Sequence, residues 1–533
     1  MTLLIESLEW AVQFVVDHSD GDLFPRIAEM MAIRDRKAEF AREVAQKPLS
    51  SFGPGAHRRF IVPKDDISYR QATQLDPQDS IILSAIVFQF GGAIEARRRP
   101  VTQVFSYRFS PTAQHGLYSG RSAWNDFWTT AADRARPRLA LPRLALPGSY
   151  NSTLGKKAGC ILYCDISDFY NQIYHHVIEN QLIEAGLPNQ ATKWVISLLE
   201  STTAGVSRGV PIGPHAIHLI AEASLIPVDN SMAANGLDFI RYADDILIFS
   251  ESERDARRAL GRLASILDKQ QRLTLQQHKT RFFAPEDFRS YCGQMIEDRP
   301  INAEEDRILK LVKKYSGGNP YVTIFYSDIT PADWAKISDT IIRKIIEEYL
   351  REGEVDFIRL RWFYRRLAQI GHPGAIDVTL ENMEYLTPCF ASICTYLASI
   401  QAITPEQWLD IGSRLLELLD REDVKDNEYF RLSILSLFSR SPHMNHFKSL
   451  AAIFVGSDSF AKREILLAAK ASCAIDWLRE HKEDFNGMDS WQKSAFLYCC
   501  HDFPRDERKY FINRFAFQRT FDSVLADWAK SGA

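Results

Sequence analysis

The chain has little of what marks membrane, secreted or disordered proteins. Its longest apolar stretch, Ile81 to Ile94, is broken by Gln89 and two glycines and is too short to span a bilayer. Met1 to Trp10 carries Glu6 and Glu9 but no Lys or Arg, so the basic start of a signal peptide is missing. The eight cysteines, at 160, 164, 292, 389, 394, 473, 499 and 500, form no CxxC pair and have no His at zinc-ligand spacing. They read as small buried hydrophobes in a reducing, cytoplasmic setting without membrane attachment. Gly and Pro number only 26 and 23 of 533 residues, which excludes collagen-like and linker-dominated chains. Positive charge is not in surplus either: 64 Lys and Arg against 68 Asp and Glu leave a net charge of −4, so nucleic acid is not held here by bulk charge.

What remains is a globular composition, 46% hydrophobic and 25% charged over 533 residues, long enough for about three or four structural units. Leu3, Leu4, Leu8, Val12, Val15 and Val16 recur at helical steps, and a Ser19-Asp20-Gly21-Asp22 turn separates them from a second amphipathic run, which makes residues 1–50 a helical extension. Asp76-Pro77 opens an apolar helix from about Gln78 to Ala96, followed by Arg97-Arg98-Arg99 and an expected strand from Val101 to Phe109. The duplicated PRLAL of 137–146 carries prolines at 137 and 142, with Pro147 beyond it, and reads as an inserted loop.

Residues 159–300 alternate strands and helices. Ile161 to Cys164 is a short apolar strand, Phe169 to Ala185 a helix stopped by Gly186 and Pro188, and Ala216 to Leu225 another helix. Phe239 to Tyr242 and Ile246 to Phe249 read as a hairpin whose turn is Ala243-Asp244-Asp245; a charged helix from Glu251 to about Gln271 and a strand with Lys279 follow. Past Gly317-Gly318-Asn319-Pro320 the patterns from about 331 to 533 are helical throughout, with turn residues at intervals that suggest an α-repeat array. The expected organisation is therefore a helical extension over 1–50, an α+β domain over 51–300 and a helical-repeat domain over 301–533.

Chemistry concentrates at three carboxylates. Asp165 ends an apolar strand, and Asp244 and Asp245 stand in a hairpin turn beginning 79 residues further on. Acids converging on one sheet edge are costly to bury without a cation. Two-metal phosphoryl transfer is the chemistry that uses such a set, with ions about 3.5–4 Å apart on the attacking and leaving oxygens.

ILYCDISDFYNQI and RYADDILIFS resemble motifs A and C of reverse transcriptases. The resemblance implies a fingers and palm domain over 51–300, two Mg²⁺ ions (Mn²⁺ a possible substitute) held by Asp165, Asp244 and Asp245, and dNTP substrates. It puts Tyr170 at the position of the ring that rejects a 2′-hydroxyl, although a buried core tyrosine would look the same. RGVPIGP, with Pro211 and Gly213, resembles motif B, which packs against the incoming nucleotide; Ile212 stands where the familiar retroelement version has Gln. LTLQQHKT resembles motif D and makes Lys279 a candidate to protonate or neutralise leaving pyrophosphate, where an isolated lysine would be a solvated charge. SYRQATQLDPQDS and FSYRF resemble finger motifs, with Arg70 and Arg108 as candidate triphosphate or template contacts.

IGP in motif B, the N-terminal FPRIAE segment and the long helical C-terminus together resemble the abortive-infection reverse transcriptases, the K type of lactococci and the type carried by P2-like prophages. That subgroup implies a helical repeat in place of the thumb, homo-oligomers, a bacterial cytoplasmic protein, untemplated synthesis of single-stranded DNA from a protein hydroxyl with the product covalently attached, and a role in phage defence. Tyrosines from Tyr69 onward, including Tyr315, Tyr321, Tyr326 and Tyr364, are all eligible hydroxyls, as are serines and threonines. Two other readings stay open. A templated reverse transcriptase of the retron or CRISPR-associated kind would carry a specific RNA. A non-catalytic scaffold would use the helical array as its surface, but has no physical reason to keep three carboxylates facing one another. Arg359, Arg361, Arg365 and Arg366 are expected on a solvated helix face rather than at product phosphates.

Charge is unevenly spread: residues 51–150 hold 13 basic and 7 acidic side chains, residues 151–250 hold 5 and 10, and residues 301–533 hold 30 and 34. A positive segment beside a negative one suits phosphate binding on one wall and cation binding on the other.

Overall fold

The computed structural model describes residues 1–18, 23–65, 67–112, 116–119, 123–136, 158–296, 299–317, 323–351 and 355–532. The Ser19 to Asp22 turn, the PRLAL duplication, Gly318 to Pro320 and Tyr321 lie outside the described residues. Among the described residues eight strands occur in chain order: β1 (Arg58–Pro63), β2 (Tyr69–Gln74), β3 (Arg108–Phe109), β4 (Tyr118–Ser119), β5 (Cys160–Asp165), β6 (Phe239–Tyr242), β7 (Asp245–Ser250) and β8 (Arg281–Phe283). The backbone divides into two compact units, one of residues 1–14, 45–54 and 79–296, the other of residues 15–44, 55–78 and 297–533.

The first unit is built on an antiparallel sheet of order β6-β7-β5-β8. β5 is buried along its whole length, as its unbroken apolar run requires. Its register sets Ile161 against Phe249 and Asp165 against Asp245. One face of the sheet packs on a core of Phe105, Phe127, Trp128, Tyr163, Leu247 and Phe288, carried in part by the helices Ala123–Arg134 and Pro285–Gln294. Together with the helices of the second unit, this is the expected α+β class: small antiparallel sheets with helices, followed by a helical C-terminal region.

Several elements differ from the sequence reading. Only Arg108–Phe109 of the expected 101–109 strand is a strand, because Pro100 opens a turn in which Gln103 and Val104 donate back to its carbonyl. The expected helix from Phe169 to Ala185 is two helices, Phe169–Gln172 and His175–Glu184. The break is bought by cross-chain pairing: the Gly209 N–H takes the Ile173 carbonyl at 2.8 Å, and the His175 N–H is given to the Ser207 carbonyl at 3.0 Å. Asp245 belongs to β7 rather than to the turn. Lys279 sits in a 3₁₀ turn, Gln277–Lys279, just before β8. The helices Ala123–Arg134, Asn189–Thr202, Ile226–Ala234 and Pro285–Gln294 were not expected.

In the second unit the helices Phe357–Ile370, Phe390–Ser399, Glu428–Arg440, Ser459–Ala471, Ser490–Cys500 and Thr520–Lys530 stack in that order, each on the next. Their first residues stand 30 to 38 apart, which is the spacing of an α-repeat array without a fixed period. Local chemistry marks their starts: Asp356, Asn427, Asp458 and Asp489 each cap a helix by accepting from backbone N–H groups. The β1–β2 hairpin and the Met30–Asp35 helix belong to this unit. Arg58 lies between the rings of Phe460 and Trp491, at 4.7 and 4.5 Å, and Arg463 grips Glu29 with two bonds of 2.9 and 2.6 Å. The arginine cluster is not a uniform solvated face: Arg359 is buried and bonded to the Arg299 carbonyl, and Arg361 reaches the carbonyls of Pro388 and Lys64.

Seven of the eight cysteines are buried and Cys473 is exposed, all as free thiols. Among the described residues no helix is long and apolar enough to cross a membrane.

Candidate active site

The three aspartates meet because antiparallel pairing places the end of β5 beside the β6–β7 turn. Tyr242 pairs with Asp245 across that turn, leaving only Ala243 and Asp244 between the strands. Asp165 pairs with Asp245 in the neighbouring ladder. The Ile166 N–H donates to the Asp244 carbonyl at 3.1 Å, tying the turn to the end of β5. The Gln276 N–H donates to the Asp165 carbonyl at 2.8 Å, bringing the Lys279 turn to the same point. Lys279 Nζ lies 2.6 Å from Asp165 Oδ2.

Electrostatics confirms that the four side chains share one environment. The Asp245 carboxyl is pushed up first by burial, then by the charge of Asp244 and further by Asp165, with Tyr163 and Lys279 working against the rise. Burial opposes the charge on Lys279, but its bond to Asp165 and the charges of Asp165, Asp245 and Asp244 outweigh it and hold the amine above the ordinary lysine range. Among the described residues no group of three or more Asp, Glu, His or Cys side chains already closes on a single metal position. The donor chemistry nevertheless fits a hard cation. Burial and the neighbouring charges of Asp244 and Asp165 disfavour the ionised form of Asp245, and oxygen donors are what Mg²⁺ takes.

Tyr170 stands on the turn of helix after Asp165. Its hydroxyl is hydrogen-bonded to His218 Nδ1 at 2.6 Å, and His218 stacks flat on Tyr107, with centroids 4.0 Å apart and planes 8° from parallel. Burial and the neighbouring Tyr107, Glu222 and Asp244 raise the Tyr170 hydroxyl well above the ordinary tyrosine range. Burial, with help from His215, lowers the His218 imidazole to about 3, so it is neutral. Pro211 and Gly213 are buried in the loop before the Ile217–Ser224 helix; Gly213 has φ +138°, which glycine adopts freely. The Val210 N–H donates to the Tyr170 carbonyl at 2.8 Å, joining this loop to the tyrosine's helix.

The two finger arginines have contacts of their own. Arg108 is paired with Glu95 and bonded to the carbonyls of Arg99 and Val104, at 2.8 and 3.3 Å. Arg70 lies on β2 in the second unit, paired in register with Val62.

Sequence reasoning passed over several residues that hold the site. Tyr163 donates to Asp245 Oδ1 at 2.6 Å; a tyrosine two residues before a strand-end acid, on the same face, was the available signal. Arg241 is fully buried on β6. An arginine inside the apolar run FIRY was itself a sign of a buried ion pair.

Carboxylates from two adjacent strands, with a lysine among them and an aromatic ring close by, are an arrangement that suits two-metal nucleotidyl transfer. Residues 95–301 match the family model for reverse transcriptase (RNA-dependent DNA polymerase). No curated protein matches the chain.

Proposed function

We propose that the protein is a Mg²⁺-dependent DNA polymerase of reverse-transcriptase type that synthesises DNA without a template, starts from one of its own hydroxyls, and serves in abortive-infection defence against phage. The observation that carries the catalytic part is the meeting of Asp165, Asp244, Asp245 and Lys279 on one sheet edge. Asp165, Asp244 and Asp245 would hold the two ions, which supply activation of the attacking hydroxyl and neutralisation of the triphosphate. Lys279, kept protonated by its acidic neighbours, can give a proton or a positive charge to departing pyrophosphate. The Tyr170 ring, braced by His218 and Tyr107, bars a 2′-hydroxyl. Ile212, half-buried in the motif B loop, brings no amide to a template base, and this supports untemplated addition. Of the eligible hydroxyls, Tyr364 is fully buried and bonded to Thr379, which leaves it the least able to attack.

The test is purified full-length protein with Mg²⁺ and labelled dNTPs, without added template or primer. DNA linked to protein and released by protease is the expected product, with none from Asp244→Asn. Incorporation by Asp244→Asn would overturn the metal assignment. A single co-purifying RNA complementary to the product would instead favour the templated reading.

A further inference from the structure

Beneath the acidic turn lies a cluster of charges that the chemistry at the carboxylates does not use. Arg241 is wholly buried on β6 and bonds to both oxygens of Asp229, at 2.8 and 2.7 Å, and both oxygens of Glu222, at 3.2 and 2.9 Å. Arg98, also buried, adds a 2.7 Å bond to Glu222 and two more to the carbonyls of Ser106 and Tyr107. Ser106 gives its hydroxyl hydrogen to Glu222 at 2.7 Å.

Two bonds of this cluster end on Ala243. Arg241 donates to its carbonyl at 2.8 Å, and Ser106 Oγ accepts from its N–H at 2.9 Å. Ala243 has φ +50°, in the left-handed region that alanine avoids. It is the first residue of the two-residue turn whose second is Asp244. Strain of this kind persists only where the surroundings over-determine it, and it gathers at working sites. A buried ion cluster is also an inefficient source of stability, since apolar side chains of the same volume serve as well or better. What an apolar cluster could not do is hold both the N–H and the C=O of one residue.

We propose that Ser106, Arg241 and Glu222 are positioning residues that clamp Ala243 in its left-handed conformation and thereby aim Asp244 and Asp245. The inference rests on the reading of these aspartates as metal ligands for nucleotidyl transfer. It gives the FSYRF segment a role through Ser106 rather than through Arg108.

Arg241→Ala would take from Asp229 the partner of both its observed bonds and so destabilise the unit as well as the turn; the test therefore uses the neutral partner. Full-length wild type, Ser106→Ala, Ala243→Gly and the double variant are compared for dNTP incorporation, for Mn²⁺ affinity by electron paramagnetic resonance, and for thermal midpoint. A displaced ligand pair predicts that Ser106→Ala lowers kcat by about tenfold to a hundredfold, with KM for dNTP within about twofold of wild type and weaker Mn²⁺ binding. Glycine takes φ +50° without strain, so Ala243→Gly in the Ser106→Ala background restores much of kcat and of Mn²⁺ affinity whatever it does to the midpoint. Wild-type kcat and Mn²⁺ affinity in Ser106→Ala, or no recovery in the double variant, overturns the clamp. An inactive wild type would instead sink the polymerase reading, and there the Mn²⁺ series still decides the clamp: unchanged affinity overturns it, and weakening reversed by glycine upholds it.

Discussion

Replacing Arg241 by methionine removes the charge and all five bonds of the guanidinium while keeping most of the side-chain volume. Asp229 is 1% exposed and takes both of its observed hydrogen bonds from Arg241. Glu222 retains Arg98 and Ser106. The variant therefore leaves one buried carboxylate stripped of these partners and a second half-compensated. Removing one member of such a group costs about 3–5 kcal/mol. For a unit of more than 200 residues, each kcal/mol moves the thermal midpoint by about 2–4 °C, so Arg241→Met should unfold about 6–20 °C below wild type. Tryptophan fluorescence can follow this, because Trp124 and Trp128 pack in the core of the same unit. Arg257→Met is the control: its pair with Glu253 is an exposed i,i+4 contact, worth only a few tenths of a kcal/mol. Leucine at 229 added to Arg241→Met should recover part of the loss, since removing both partners leaves no stranded charge there. A midpoint for Arg241→Met no lower than that of Arg257→Met would refute the reasoning.

Two further outcomes follow from the ring cluster. Tyr170→Ala should raise incorporation of ribonucleotides relative to deoxyribonucleotides, and His218→Phe, which keeps the stacked ring but loses the 2.6 Å bond to Tyr170, should lower the same discrimination by about tenfold, the value of one hydrogen bond of about 1.4 kcal/mol; paired kcat/KM measurements check both, and unchanged ratios would remove Tyr170 from the role of sugar gate. His218 is held to about 3 by burial while the unfolded chain protonates it near 6.5, so its folded state takes up fewer protons and the stability it permits is full above about pH 6.5 and lost as pH falls toward 3. Chemical denaturation from pH 7 to pH 4 should show wild type losing stability relative to His218→Asn by up to about 1.4 kcal/mol per pH unit below pH 6.5, and parallel curves would contradict a neutral buried imidazole.

The three aspartates could be read as one group because their signal is local. An apolar strand ending in Asp165, and a two-acid turn between short apolar strands, announce both the elements and the carboxylates that terminate them. Helix caps such as Asp356, Asp458 and Asp489 also act within a few adjacent residues, although the sequence reading did not name them. The break at Ile173–Tyr174 was not legible. Nothing between Phe169 and Ala185 forbids a continuous helix; the competing hydrogen bonds come from residues 207–209, more than thirty positions away. For the same reason Lys279 could be named from its motif but not placed in a turn, since that turn is set by the Gln276 bond to Asp165.

Local pattern thus determined the strand end and turn that carry the three aspartates, and a helical C-terminal half. Tertiary structure alone decided what surrounds them. The burial of Arg241 against Glu222 and Asp229, the bracing of Tyr170 by His218, and the assignment of the β1–β2 hairpin to the helical unit join residues that are 12 to more than 400 positions apart. The physical reason is the range of the interactions. Propensity, periodicity and capping act within a few residues, whereas the partner of a buried charge is known only once the chain has brought it there.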